Sequence, residues 1–329
     1  MPSISDTSPS VRRIGFVGTG GVALRHATVL SQFDDVRLIA ATDIDPDRAA
    51  RFAEDHGMVT VPDVDQLLAL ELDAVYVCVP PFAHGSPELA LLDAGVALFV
   101  EKPLAADEKI ATVVADRVSQ SAALCRVGHH WRCAEPVARA RELLQDRSVR
   151  LVTGWWLDKV PPVPWWTDRS LSGGPMIEQA VHVLDLARFL VGEVEQVCAF
   201  AAGALGAGGV ETATASVLGF RSGAVGTMAT SCVLRGKHRA GLEIVADGLV
   251  VGVGEDWLEV SDGSGAPERT TFDPWTARVA ADRRFVDALH GRSGDPATAP
   301  PDYADAMQTH QLACALVRSV ETGCAERLR

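Results

Sequence analysis

The sequence has no C-x-x-C pair, no basic run, no apolar stretch of membrane-spanning length and no internal repeat. Its seven cysteines, Cys78, Cys125, Cys133, Cys198, Cys232, Cys314 and Cys324, are odd in number and scattered. That argues against a disulfide framework or a zinc knuckle and for reduced, mostly buried thiols. With no H-x-x-x-H spacing and no compact acidic cluster, no metal site is expected. The 30 Lys and Arg are outnumbered by 43 Asp and Glu, and the net charge of -13 repels nucleic-acid phosphates and anionic membranes, so neither is an expected partner. Residues 1–10 are polar and lack the basic-then-apolar pattern of a signal peptide. A cytoplasmic protein with a frayed leader is the expectation.

At 329 residues the chain exceeds the length at which one hydrophobic core stops growing, which predicts two domains. Up to about Val127, short apolar runs at 14–17, 36–41, 59–61, 74–79, 97–100 and 124–127 alternate with amphipathic stretches, the grammar of a doubly wound parallel α/β sheet. After a helix at about 135–145 the runs lengthen, to 149–157, 194–202, 211–220, 224–231, 239–246 and 249–253. Hairpin signals at Arg221-Ser222-Gly223 and Asp247-Gly248 join some of them, which predicts a mainly antiparallel, α+β second half. One helix interrupts it, with Pro175 at its first position and apolar residues at Ile177, Val181, Leu184 and Leu186. Two helices, about 276–290 and 303–322, close the chain across a Gly/Pro-rich link. The expected division is 11–127 for the first domain and 128–302 for the second, with helix 303–322 packing back on the first. The small-residue stretch 201–209 reads as a flexible strand connection.

Gly18, Gly20 and Ala23 form G-x-G-x-x-A directly after the first apolar run, and an acid, Asp43, ends the second. One glycine makes a tight strand-to-helix turn, another lets backbone approach a pyrophosphate, and the small third residue lets helix and strand pack closely. Phosphates then sit on the helix N-terminus, beside Gly21. Asp43 can accept hydrogen bonds from the adenosine ribose, which favours NAD over NADP, although Arg48 on the next helix offers a 2'-phosphate a partner. NAD is therefore the expected cofactor.

Three further motifs follow in order: Val77-Cys78-Val79-Pro80-Pro81-Phe82-Ala83-His84, then Glu101-Lys102-Pro103, then Gly173-Gly174-Pro175-Met176-Ile177-Glu178-Gln179-Ala180-Val181-His182-Val183-Leu184-Asp185. With them the chain resembles the glucose-fructose oxidoreductase / inositol dehydrogenase (Gfo/Idh/MocA) family, from about Arg13 to its last helix. The resemblance implies a Rossmann domain, an open-faced antiparallel sheet, and nicotinamide and substrate at their junction. It also implies a homodimer or homotetramer made through the back of that sheet. By resemblance, Lys102 hydrogen-bonds the substrate hydroxyl, Glu101 touches the nicotinamide ribose, Pro103 holds a tight and cis-compatible turn, and Pro80 and His84 lie beside the cofactor. A packing role at the helix start reads equally well for His84.

Glu178 and His182, four apart, share one face of a continuous helix, and histidine can take a hydroxyl proton. The family has aspartate where Glu178 stands; the longer arm could orient the imidazole, bind a substrate hydroxyl, or pair with Arg169. Asp185 could steer the ring or bond backbone. Arg132, after the sixth strand, matches an arginine that lines the site in the family, and one of His129 and His130 points inward. His26 reads as structural. Trp155-Trp156 and Trp165-Trp166 bracket a Pro-rich loop; tryptophan can stack on a sugar ring, so Trp165 or Trp166 could lid the substrate. The expected activity is hydride transfer between nicotinamide and a secondary alcohol or ketone of a sugar, cyclitol or polyol, with Lys102, His182 and Glu178 catalytic. Two other readings stand beside it: a glycosidase or lyase that recycles bound NAD, and a nicotinamide-dependent regulator without catalysis.

Overall fold

The computed structural model describes residues 11–205, 209–292 and 294–328. The leader expected at 1–10 and residues 206–208 of the expected flexible connection lie outside them. Six short strands, mostly apolar, build the first sheet: β1 (Arg12–Val17), β2 (Val36–Thr42), β3 (Val59–Thr60), β4 (Ala74–Val77), β5 (Ala97–Val100) and β6 (Cys125–Val127). All pairings are parallel and the order is β3-β2-β1-β4-β5-β6. This is the doubly wound Rossmann order, in which the chain reverses direction between β1 and β4 and leaves a crevice at the carboxyl ends of the strands. Gly18, Val79, Glu101 and Gly128 all follow such ends.

The second sheet is mainly antiparallel and has nine strands: β7 (Val149–Leu157), β8 (Val194–Ala202), β9 (Ala213–Phe220), β10 (Val225–Ser231), β11 (Arg239–Ala246), β12 (Leu249–Val253), β13 (Trp257–Ser261), β14 (Glu268–Thr271) and β15 (Glu326–Arg327). Only β7 and β10 run parallel. Residues alternate buried and open along β9 and β10, so one face meets the core and the other faces outward. The last three strands were not apparent as runs, because β13 and β14 are short and half-exposed and β15 has two residues.

The helix expected from Pro175 onward is two pieces, Pro175–Glu178 and Val181–Val191. Gly173 and Gly174, both at positive φ, start it; a Cβ on Gly173 would come within 2.8 Å of the Ala106 carbonyl, so only glycine fits that approach. The amide N–H groups of Gln179 and Ala180 both donate to the Pro175 carbonyl, and this local widening ends the first turn.

The two closing helices tie the halves together. In Tyr303–Thr322, Tyr303, Ala306 and Met307 pack into a core of the first sheet, and Leu312 to Leu316 into that of the second. Helix Pro274–Leu289, placed with the second half by sequence, buries Phe285 and Val286 in the first. Phe285 meets Tyr76 and Phe99 edge-on at 5.5 and 5.4 Å. Phe285→Ala is expected to cost about 3–5 kcal/mol of unfolding free energy in a urea titration. A loss under about 1 kcal/mol would mean the site collapses or the helix is held elsewhere.

Candidate active site

A cleft of about 580 Å³ runs along the carboxyl edge of the first sheet and over the second. Gly18, Gly20, Gly21, Asp43 and Arg48 line one end. Gly18 has φ +84, and a Cβ there would stand 2.6 Å from the Cys78 carbonyl, so the turn needs glycine. Helix Gly21–Leu30 begins without a side-chain cap, and nothing lies within 4 Å of where Cβ atoms on Gly20 and Gly21 would be. Its unpaired N–H groups and positive dipole end therefore open on the cleft.

Asp43 accepts from the Thr19 and Asp45 amides at 2.7 and 3.0 Å and from Arg48 at 2.5 and 3.1 Å. Burial opposes its charge, but the Arg48 guanidinium and the amides outweigh burial and hold its pKa below the ordinary range. An open glycine cradle, an uncapped helix end and an ionised carboxylate are the groups a dinucleotide requires, and they fit NAD.

Farther along, Lys102 follows β5 across a cis bond to Pro103. Its Nζ donates to the Glu178 carbonyl at 2.9 Å and lies 3.4 Å from Glu178 Oε1. The break after Glu178 explains the first bond: the carbonyl there has no helical amide partner among the described residues and is free for the ammonium. Trp166, fully buried, donates Nε1–H to Glu178 Oε2 at 2.8 Å. Glu178 thus joins the two sheets and fixes Lys102, in place of the pairing with Arg169, which goes to Glu211.

His182, on the second helical piece, lines the same cleft. Its ring lies nearly parallel to Trp131 and Trp156, at 5.4 and 5.8 Å. His129 and His130 both meet it edge-on. Nδ1 is buried without a partner, which leaves Nε2 as the nitrogen toward the cleft. Burial first, then the charge of Lys102 and the neighbouring histidines, pushes its pKa well below 6.5, so the imidazole is neutral and can accept a proton.

Behind Lys102 runs a buried chain. Glu101 bonds His26 Nε2 at 3.0 Å, and His26 Nδ1 bonds Asp282 at 2.7 Å. Burial works against a charge on His26, but Asp282 and Glu101 prevail and raise its pKa to about 10. A Cβ on Gly128 would sit 2.2 Å from Glu101 Oε1, so that glycine makes room for the carboxylate.

Several residues singled out by sequence are elsewhere. Arg132 is buried and spends its guanidinium on Asp185, at 2.6 and 2.7 Å, and on Asp305; it does not line the cleft. Asp185 is therefore Arg132's partner, with Thr309, and does not steer His182. His84 bonds Glu88, whose other oxygen takes the Gly85 amide and caps helix Ser86–Asp93; His84 does not line the cleft. Trp166 is a buried support for Glu178, whereas Trp165 does reach the cleft. His26 is structural in being hydrogen-bonded, yet it lines the cleft too.

Sequence reasoning missed Trp131, Lys237, Glu255, Arg278 and Asp282, which line the same space, and left Trp156 undecided between core and pocket. Trp155 turns to the opposite face, under Arg239 at 3.6 Å. The alternation of β7 held the signal for Trp156. Trp131 sits between His130 and Arg132, in a stretch already singled out for other residues, and the rest come from segments without a motif.

Among known proteins, residues 12–129 match the family model described as an oxidoreductase family with an NAD-binding Rossmann fold, and residues 137–248 match the GFO/IDH/MocA C-terminal domain. The chain is 32% identical over 186 residues to inositol 2-dehydrogenase of Rhizobium meliloti, a match that spans 55% of each protein, so about half the length of that relative. It is 27% identical over 352 residues to D-glucoside 3-dehydrogenase of Escherichia coli, covering 98% of this chain and 99% of that one. Levoglucosan dehydrogenase in complex with NADH and levoglucosan shares the fold, with a TM-score of 0.84 at 20% identity over 97% of this chain and 100% of that one.

An unfolded histidine gives up its proton near pH 6.5, while the folded protein holds His26 protonated to about pH 10. Its contribution to stability is complete below the first value and is lost as pH rises toward the second. His26 is expected to contribute a fall in unfolding free energy of about 1.4 kcal/mol per pH unit above about pH 7, beside a further fall as the unfolded cysteines ionise toward about pH 8.5 while the buried thiols stay protonated. His26→Gln should lose that slope in urea titrations across the range. Equal slopes in the two proteins would contradict the assignment.

Proposed function

This chain belongs to the Gfo/Idh/MocA family of NAD-binding oxidoreductases, and on that premise we propose that it moves a hydride between nicotinamide and a secondary alcohol or ketone of a sugar, cyclitol or related polyol. The observation that carries the proposal is the meeting, in one cleft, of the Lys102 ammonium from the first sheet and the His182 imidazole from over the second. NAD, when bound, supplies the hydride acceptor. Gly18, Gly20 and Gly21 hold its pyrophosphate, Asp43 its adenosine ribose and Glu101 its nicotinamide ribose, with Pro80 lining the cleft between these groups.

The chain's own residues handle the proton. Two of the three N–H donors of Lys102 point at Glu178, which leaves one for the substrate oxygen. That bond strengthens as the oxygen gains negative charge, so it favours the transition state over the bound alcohol. His182 accepts the hydroxyl proton at Nε2; its low basicity in the buried site keeps it ready as the neutral form. Glu178 is a positioning residue for Lys102, and its longer arm reaches Lys102 and Trp166 together. Trp156 and Trp165 offer apolar faces to a sugar ring.

The same proposal includes a cytoplasmic location and a homodimer or homotetramer. Phe200, Val217, Val225 and Leu151, exposed on the outward face of the second sheet, support the oligomer. The acidic balance supports a partner set without nucleic acid or membrane. No helix among the described residues is long and apolar enough to cross a membrane.

Lys102→Ala and His182→Ala are each expected to lower kcat by about 10²- to 10⁴-fold on a polyol that the wild type oxidises, with NAD binding retained. Full turnover in either variant would remove that residue from the reaction. Asp43→Ala removes the carboxylate from the ribose site and releases Arg48, so the ratio of kcat/KM for NAD over NADP should fall by about tenfold or more. An unchanged ratio would show that Asp43 does not select the cofactor.

A further inference from the structure

The loop between β10 and β11 brings a second ammonium, Lys237, into the same cleft as Lys102. Its Nζ stands 4.9 Å from the Trp156 ring and 5.5 Å from the Trp131 ring, the same two indoles on which His182 stacks. Any molecule that reaches His182 therefore comes close to Lys237.

The charges around Lys237 do not balance. Glu255 is the acid beside it, and one oxygen of that carboxylate already serves two partners, His130 at 3.1 Å and Arg278 at 2.5 Å. Arg278 is held from its other side by the Pro274 carbonyl at 2.8 Å. Lys237 forms a long ion pair with the second oxygen at 3.6 Å and makes no hydrogen bond to any described residue. Two permanent cations thus share one carboxylate, while Lys102 and Glu178 pair with each other. The wall formed by Lys237 keeps one positive charge to spare.

The composition points the same way. The chain has four lysines, Lys102, Lys109, Lys159 and Lys237, among 30 basic side chains, and two of the four line this cleft. Lys109 and Lys159 lie outside it, and Arg25, Arg48 and Arg278 line it as well. Here the compact, three-donor ammonium stands where a flat guanidinium would lie across the indole faces.

We propose that the substrate carries an anionic group, a carboxylate or a phosphate ester, near the carbon that reacts, and that Lys237 selects it. This deepens the reading of the cleft as a polyol dehydrogenase site and rests on it. A charge-assisted hydrogen bond from this ammonium, whose side chain is 43% exposed, favours the anion over a neutral hydroxymethyl group by roughly two- to tenfold.

The test compares holoenzyme with NAD on matched sugars: D-glucose and D-galactose, their uronates, and their 6-phosphates. Reduced nicotinamide is followed by absorbance, and binding by the thermal shift of the NAD-loaded protein. The expected result is a kcat/KM, or a shift at equal concentration, that favours the uronate or the phosphate over its neutral parent. In Lys237→Gln that ratio collapses toward one; in Lys237→Arg it is partly kept. The carboxylate and phosphate arms tell which anion fits. A binding preference without turnover on any sugar would leave the anion site standing and count against the dehydrogenase reading. Equal treatment of neutral and anionic sugars, or a ratio untouched by Lys237→Gln, overturns the proposal.

Discussion

The bond from the Lys102 ammonium to the Glu178 carbonyl and carboxylate is the contact on which the site depends. Lys102 stands at the end of a strand in one sheet; Glu178 stands where a helix over the other sheet breaks. The break frees a carbonyl that a continuous helix would have used, and Trp166 holds the carboxylate from behind. One helical turn beyond, His182 enters the same space. Without the ammonium, Glu178 would be left partly buried with a charge and a carbonyl to satisfy, and the two halves would lose their polar link.

The rest of the cleft answers the problem of burying charge without waste. Arg132 is enclosed by Asp185 and Asp305, and removing one member of such a buried pair costs about 3–5 kcal/mol because the other charge stays behind. Glu101 has His26, and His26 has Asp282. His130, Lys237 and Arg278 outweigh the burial of Glu255 and hold its carboxyl at about 2. His182 has no such partner, and burial with surrounding cations keeps it neutral instead. Neutral His182 thus lines the same cleft as the Lys102 and Lys237 ammonium groups, whose charge helps keep it neutral.

Much of this was legible in the residues themselves. Strands of the first sheet are short, apolar and bounded, so their runs map onto β1 to β6; the glycine turn and Asp43 are local features whose geometry follows from spacing. The shared face of Glu178 and His182 rested on a continuous helix. The break between them is set by backbone bonds to Pro175 that spacing does not reveal, yet both residues still reach the cleft, by different routes. Arg132 was misplaced because its acid becomes a neighbour only in the folded chain, whereas the acid that takes His84 was within reach along the sequence, at helical spacing. Asp185 lies 53 residues from Arg132, and Glu88 lies one turn beyond His84. Lys237, Glu255 and Arg278 come from two loops of the second sheet and from helix Pro274–Leu289, and only the folded chain brings them together.

A crystal structure with NAD and a bound polyol tests the central claim most directly. The account predicts a single carbinol oxygen within about 3.2 Å of both Lys102 Nζ and His182 Nε2. A bound polyol whose reacting oxygen meets one of these nitrogens but not the other, or neither, would contradict it.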